Sequence, residues 1–526
     1  MRWVARSCQQ TITIHFGRRL YVRVLITPAT SAAHPVALLH TEPLPGDWAT
    51  ASGVTSDDDC HEQTSGLRMP QVRASTARRL RVRAGKSAVE TLTRKNRPQE
   101  ISTMVATHPT SERLTTVLEK VRALGPDLRK RALAAERAGR LPDETITDLD
   151  ATGAFDIGSP AEFGGYELTV REQLDVVSEV SKWDGSCGWS VWVGASTNWI
   201  PAGSGARVVE EVYGPSWVGP RVAGSSHFPA SRGRAKRVEG GWTISGGPWT
   251  FGSDSLWAPF TNLGCIADDG DGPYLVGVQV PRDELRFLDD WHVAGMRATG
   301  SVSLTLAEEH LFVPEHRGVD FRHIVGGSLD NGLKGALWKA PSLGWAFSLM
   351  AGMSIGLAQG ALDRFLERSA GRPIRGTTYK NQLEAPLTHL MLTEVHSKIR
   401  SATLMTRANA DETDRLGALA AAGTPADPEY MQMFSARILA ETAYAAKWCA
   451  EAIELLQRNS GSTAIMESES IQRAWRDARV ITLHGALNLE ALSENYGRLM
   501  AGAQPHKFEG ITTLDRFAPV APSKTH

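Results

Sequence analysis

The spacing of apolar residues changes period twice along this chain, and that double change limits the fold more than any single motif does. In LTTVLEKVRALGPDLRKRALAAERAG, Leu114, Val117, Leu118, Val121 and Leu124 recur at helical spacing. VREQLDVVSEVSKWDGSCGWSVWVGASTNW continues as a longer helical region, ending in a Gly, Ser and Trp-rich stretch that permits close helix packing. From about Trp217 to Glu315 the period shortens. GGWTISGGPWTF, GPYLVGVQVP and GSVSLTLAEEHLFVP alternate as strands do, between Gly and Pro turns. Beyond about Leu337 helical spacing returns in WAFSLMAGMSIGLAQGALDRFLERSA, THLMLTEVHSKIRSATLMTRANA and EYMQMFSARILAETAYAAKWCAEAIELLQRN. Helices, then strands, then helices predict an α+β protein of three domains, at residues 104–216, 217–336 and 337–526.

A chain of 526 residues with 42% hydrophobic content can bury several cores. A net charge of −1 offers no general attraction to nucleic acid. The apolar runs are short and broken by Gly or charge, so no membrane span is expected. Five scattered cysteines (Cys8, Cys60, Cys187, Cys265 and Cys449) form no CxxC pair. They indicate neither a disulfide framework nor a metal site, and suit a reducing, cytoplasmic setting. Residues 1–103 are different, with 15 Arg and Lys against 8 Asp and Glu and no lasting amphipathic pattern. The expectation there is a disordered or poorly packed basic extension. A transit peptide or a nucleic-acid contact are weaker readings than an over-long start, because Met104 opens a normal-looking beginning.

Two strings carry local structure. In LPDETITDLDATGAF, Pro142, Asp143 and Glu144 suit a helix first turn and Gly153 its end. In IQRAWRDARVITLH, Arg473, Asp477, Val480 and His484 share one helical face, while Ile471, Trp475 and Ala478 make an apolar one. Gly485 follows, where the helix or its regular turn stops. By spacing alone that polar stripe is a solvated Arg–Asp pair with a helix-terminal histidine.

The domain order and five strings in sequence resemble the acyl-CoA dehydrogenase superfamily. The strings are LPDETITDLDATGAFDIGSPAEFGGYEL, SCGWSVWVGASTNW, GGWTISGGPWTFGSDSLWA, WHVAGMRATGSVSLTLAEEHLFVPEHR and IQRAWRDARVITLH, spanning about residues 110–500. The likeness is strongest to the flavin-dependent monooxygenase branch, the oxygenase components of two-component aromatic hydroxylases. It implies an N-terminal helical domain, a middle β-barrel or sandwich that binds flavin, and a C-terminal four-helix bundle. In GGPWTFGSDS it implies that Trp249, Thr250 and Ser253 supply stacking and a hydroxyl near the reactive centre. Trp291, Arg297, Thr299 and Ser301 match positions lining the flavin, and Arg372 and Arg375 are weaker candidates for its phosphate.

The resemblance also weighs His484. Ungapped matching sets the dehydrogenases' catalytic glutamate on Gly485, which has no side chain to act as a base. The monooxygenase branch has a histidine where His484 stands. Histidine ordinarily titrates near neutrality, which suits it to assist oxygen transfer from a flavin C4a-hydroperoxide. Trp192, Thr197 and Asn198 are the expected substrate contacts, yet Thr197 replaces a histidine of the His-Asn-Trp string common in phenol hydroxylases. A polycyclic, indole-like or amino-sugar acceptor therefore stays open. With no GxGxxG strand-turn-helix unit for nicotinamide, reduced FMN or FAD would diffuse from a separate NAD(P)H:flavin reductase and react with O2. The segment ENYGRLMAGAQPHKFEG is a candidate lid. A homotetramer through the last domain is implied too. The alternative is an FAD-dependent acyl-CoA dehydrogenase.

Overall fold

The computed structural model describes the backbone of three short strands before residue 41, and residues 111–505 apart from 199, 201–204, 215–222, 226–231, 269, 271 and 321–331. Two units divide the chain, residues 1–96 and 97–526. In the first, β1 (Gln10–Phe16), β2 (Leu20–Ile26) and β3 (Leu38–His40) form an antiparallel sheet, with Ile12 opposite Val24 and Ile14 opposite Val22. The expected irregular extension thus contains regular structure. Its signal is the alternation in QTITIHF, which a search for helical faces passes over.

The second unit follows the helix, strand, helix order. Helix α1 (Glu112–Ala138) starts at Ser111, whose hydroxyl accepts from the Leu114 amide at 3.1 Å, and stops at Gly139 with φ of 67°. Helix α2 (Asp143–Thr152) begins after Pro142 and ends at Gly153 with φ of 85°, as its sequence indicated. The long helical region after it is two helices, not one. A capping box of Thr169 and Glu172 opens α3 (Val170–Trp183). Asp184 then takes an extended φ of −154° and caps α4 (Gly185–Thr197) by accepting from the Cys187 amide at 2.9 Å. Helix α5 (Ala206–Tyr213) precedes the strands.

The middle sheet has the strand order β11 (His310–Pro314), β6 (Gly241–Gly246), β5 (Gly233–Val238), β7 (Phe260–Asp268), β8 (Pro273–Pro281) and β12 (Gly318–Asp320). Strand β4 (Ala223–Ser225) pairs with β7, and β9 (Leu285–Phe287) with β10 (Leu304–Leu306). Trp242, Ile244, Trp249, Leu263, Val276 and Val278 are buried on its inner side.

The last part is α6 (Ser342–Ser369), α7 (Pro386–Ala421), α8 (Pro428–Asn459), α9 (Ser470–Thr482) and α10 (Leu489–Met500). Helix α6 is long and apolar enough to cross a membrane, which the broken apolar runs had not suggested, but 78% of its most apolar window is buried inside the protein. Gly356 and Gly360 let it lie directly on α3. A Cβ at either would sit 2.1 Å from the carbonyl oxygen of Ser178 or Lys182. Close packing of this kind forms the floor on which α4 and α9 are set.

Candidate active site

Helix α9 ends at Thr482, so His484 stands just beyond it and opens a short 3-10 turn at Gly485–Leu487. Its Nδ1 accepts from the Ala486 amide at 3.2 Å, which assigns the proton of the neutral ring to Nε2. The half-buried imidazole lies against two indoles of α4. Trp189 has its centroid 5.8 Å away at 60°, and Trp192 has its centroid 6.1 Å away at 90°. The indoles meet each other edge to face at 4.9 Å. Trp189 escaped the sequence reading, although its i, i+3 spacing with Trp192 already put both on one helical face.

From Trp189 a line of hydrogen bonds runs into the middle domain. Trp189 Nε1 donates to Ser253 Oγ at 3.1 Å. Ser253 Oγ lies 2.8 Å from Ser301 Oγ, and Ser301 Oγ lies 2.8 Å from Thr299 Oγ1. Thr299 donates to the Met296 carbonyl at 2.9 Å. An indole N–H can only donate and a carbonyl can only accept, so each hydroxyl proton points the same way, from Ser253 towards Met296. The spare capacity of Ser301 and of Ser253 is therefore as acceptors. Its backbone N–H is also engaged, on Ser225 O at 2.9 Å, because Ser225 and Ser253 form a β-bridge.

The other candidates divide. Thr250 is half-buried before the 56% exposed Phe251, and Arg297 is exposed beside Thr299. Trp291 is half-buried, donates to Met296 O at 3.2 Å and meets Phe251 edge-on at 6.0 Å. Trp249 belongs to the interior of the β domain, only 2% exposed, and donates to Gly264 O at 2.7 Å. Its ring is enclosed by that core, contrary to the expected stacking role. Thr197 turns its hydroxyl back onto Val193 O of its own helix at 2.7 Å. Asn198 Oδ1 accepts from the Tyr213 hydroxyl at 2.9 Å. Trp192 is half-buried and donates to Ala346 O at 2.9 Å. Arg372 donates to Ser460 O in the turn after α8, and Arg375 is exposed on the same loop as Arg372. Among the described residues no contact joins either to the cluster around Ser253. The candidate lid is helical in its first part, within α10, and residues 506–526 lie outside the described residues.

Two buried carboxyl groups flank the site. Asp254, which follows Ser253, accepts from Ser190 Oγ at 2.5 Å and Trp257 Nε1 at 3.2 Å. Burial pushes it up to about 7, with those two hydrogen bonds pulling the other way. Asp477 on α9 accepts from the Met296 amide at 2.6 Å, and burial pushes it also to about 7. The polar stripe of α9 is therefore no solvated Arg–Asp pair. Arg473 instead meets Glu136 of α1 at 2.9 Å, both side chains being 6% exposed.

This arrangement has close parallels. The family model of the acyl-CoA dehydrogenase N-terminal domain matches residues 111–204, and that of the C-terminal domain matches residues 348–489. A pigment production hydroxylase of a Rhodococcus species is 29% identical over 391 residues, covering 73% of this chain and 96% of that protein. The oxygenase subunit HsaA of a flavin-dependent monooxygenase of Mycobacterium tuberculosis is 29% identical, covering 74% and 96%. Among solved structures, XiaF of a Streptomyces species, in complex with FADH2 and glycerol, superposes with a TM-score of 0.68 at 27% identity, covering 75% of this chain and 97% of that one. This chain belongs to the acyl-CoA dehydrogenase superfamily, in its flavin-dependent monooxygenase branch. Its cofactor is reduced flavin, used with O2.

The residues present suit such a cofactor. A flavin ring needs apolar faces and a hydrogen-bonding edge. The apolar rings of Trp189 and Trp192 supply the first, and the two acceptor hydroxyls at Ser253 and Ser301 supply the second. Reduced flavin carries more ring N–H than oxidised flavin, so an acceptor edge matches it better. No carboxylate stands at 484 or 485 to act as a dehydrogenase base.

Proposed function

We propose that this chain is the oxygenase component of a two-component monooxygenase. It would take reduced FMN or FAD from a separate NAD(P)H:flavin reductase and insert one atom of O2 into a small aromatic or polycyclic substrate. The observation that carries this reading is the tip of α9, where a half-buried imidazole lies against a pair of indoles with glycine as its next residue. When bound, reduced flavin supplies the two electrons, so that one oxygen atom enters product and the other leaves as water.

The protein's own part is to hold, orient and exclude. Ser253 and Ser301 accept from flavin N–H groups, and Thr299 keeps their protons turned away. His484 holds a proton at Nε2 and passes it at the reacting oxygen. Trp189 and Trp192 keep water from that oxygen and offer ring edges to an aromatic substrate. Thr197, satisfied within its helix, adds little recognition of a phenol hydroxyl, so a larger ring system suits the pocket better. Arg297, Arg372 and Arg375 are the cations proposed for a flavin phosphate. A homotetramer is supported by Leu387, Leu390 and Leu404, exposed at helical spacing along α7. Free, buried Cys187, Cys265 and Cys449 support a reducing, cytoplasmic setting.

Anaerobically photoreduced FMN or FAD, mixed with 18O2 and a panel of phenols and polycyclic aromatics, tests the reading. Mass spectrometry should find one labelled oxygen in a product. Oxidation of an acyl-CoA without any reductase would instead support the dehydrogenase alternative. Native mass spectrometry reads the tetramer.

A further inference from the structure

Asp477 sits about two turns before His484 on the same segment, yet its carboxyl faces the middle domain. There the loop 291–301 lies directly on α9. A Cβ at Gly295 would meet the Arg476 carbonyl at 2.5 Å, and Arg476 Nη1 donates to Ala294 O at 2.5 Å. Asp477 Oδ1 takes the Met296 amide at 2.6 Å, and Met296 holds a left-handed φ of 52° that a methionine rarely adopts. The carbonyl of that same residue receives both Thr299 Oγ1 and Trp291 Nε1. The hydroxyl line then returns through Ser301 and Ser253 to Trp189, whose ring meets His484. The circuit leaves α9 at Asp477 and re-enters its segment at His484.

We infer that Asp477 is a positioning residue for oxygen transfer: through the Met296 amide it orients the carbonyl that polarises the Thr299, Ser301 and Ser253 hydroxyls, and so registers the acceptor edge against His484. The inference rests on the functional reading above. A carboxyl is suited to the task because one oxygen fixes an otherwise strained peptide while the chain of hydroxyls continues from the other side of that residue. Asparagine retains that acceptor oxygen and alanine removes it.

The test uses the full-length protein with reduced FMN, O2 and an accepted aromatic. In Asp477→Ala, the fraction of reduced flavin that yields product should fall about tenfold, the scale of a small misplacement. Asp477→Asn should restore most of it. Thr299→Val cuts the line without touching α9, and should reproduce the loss at an unchanged melting temperature. Combining Asp477→Ala with Ser301→Ala should add little to either alone, since both break one line. Hydrogen exchange needs no catalysis: in Asp477→Ala the 294–301 segment should exchange about tenfold faster while α9 stays protected. If Asp477→Ala does not fold, Asp477→Asn and Thr299→Val decide alone, with Asn retaining and Val losing coupling. Additive losses, full coupling in Thr299→Val, or loosening spread through α9 would overturn the inference. If the unaltered protein forms no product, the functional reading has failed, and exchange at 294–301 with the affinity for reduced FMN in the same variants decides the positioning role.

Discussion

The two ends of helix α9 are held in opposite ways. At its root, Arg473 and Arg476 enclose Glu136 of α1, with contacts of 2.9 and 2.8 Å. Burial raises the Glu136 carboxyl, but hydrogen bonds from both arginines outweigh it and hold the group below the usual range. At the tip, the His484 ring accepts a backbone hydrogen bond from Ala486 and lies against the indoles of Trp189 and Trp192, and Leu483 beside it is 83% exposed. A buried pair of charges gives no room for change, since either partner alone is strongly unfavourable. Imidazole is the side chain whose ordinary chemistry is to take up and release a proton near neutral pH. One helix thus carries its anchorage and its chemistry about three turns apart.

The largest effect should come from breaking the root. Arg473→Ala leaves buried Glu136 with Arg476 alone, at a cost of about 1.5–3 kcal/mol for the lost charged hydrogen bond. Calorimetry should register a large fall in melting temperature, with the surviving folded protein still coupling oxygen to product. An unchanged melting temperature would mean that the pair is not what holds α9. A smaller effect is expected along the hydroxyl line. Ser253→Ala removes one hydrogen bond of about 0.5–1.5 kcal/mol. Anaerobic titration should find weaker binding of reduced flavin, with oxidised flavin less affected. Equal weakening of both would contradict the acceptor polarity.

The domain order was legible because a change of apolar period is local information. Ser253, Thr299, Ser301, Trp192 and His484 do gather, although they come from four separate stretches of sequence. What spacing could not supply is which partner a face meets. Arg473 and Asp477 lie on one face of α9, as their four-residue spacing requires, but one turns to Glu136 and the other to Met296, each far away in the chain. Trp249 misled for a related reason. It sits in a glycine-rich stretch that permits close approach of a ligand, whereas the approach is by Gly233, where a Cβ would lie 2.4 Å from the indole. The strands before residue 41 were visible as alternation and were masked by a basic composition that suggests disorder.

The smallest effect concerns pH. Asp254 and Asp477 each titrate at about 7 in the folded chain, against about 4 in an unfolded one. Between those values the folded chain holds more protons than the unfolded chain. Their contribution to stability is therefore complete below about pH 4 and is lost as pH rises through about 7. Asp254→Asn keeps an acceptor for Ser190 and Trp257 and removes the titration. Its melting temperature relative to the unaltered protein should climb from pH 5 to pH 8 in thermal scans. A difference that stays flat with pH would show that Asp254 is ionised throughout.

The division of α9 into anchorage and chemistry is tested most directly by His484→Ala, scored as product against H2O2 with reduced flavin and O2 supplied. The melting temperature should stay close to that of the unaltered protein and reduced flavin should still bind. Product should fall by roughly 10²-fold or more, with H2O2 released in its place. A lowered melting temperature with the product to H2O2 ratio unchanged would make His484 a structural histidine and contradict the account.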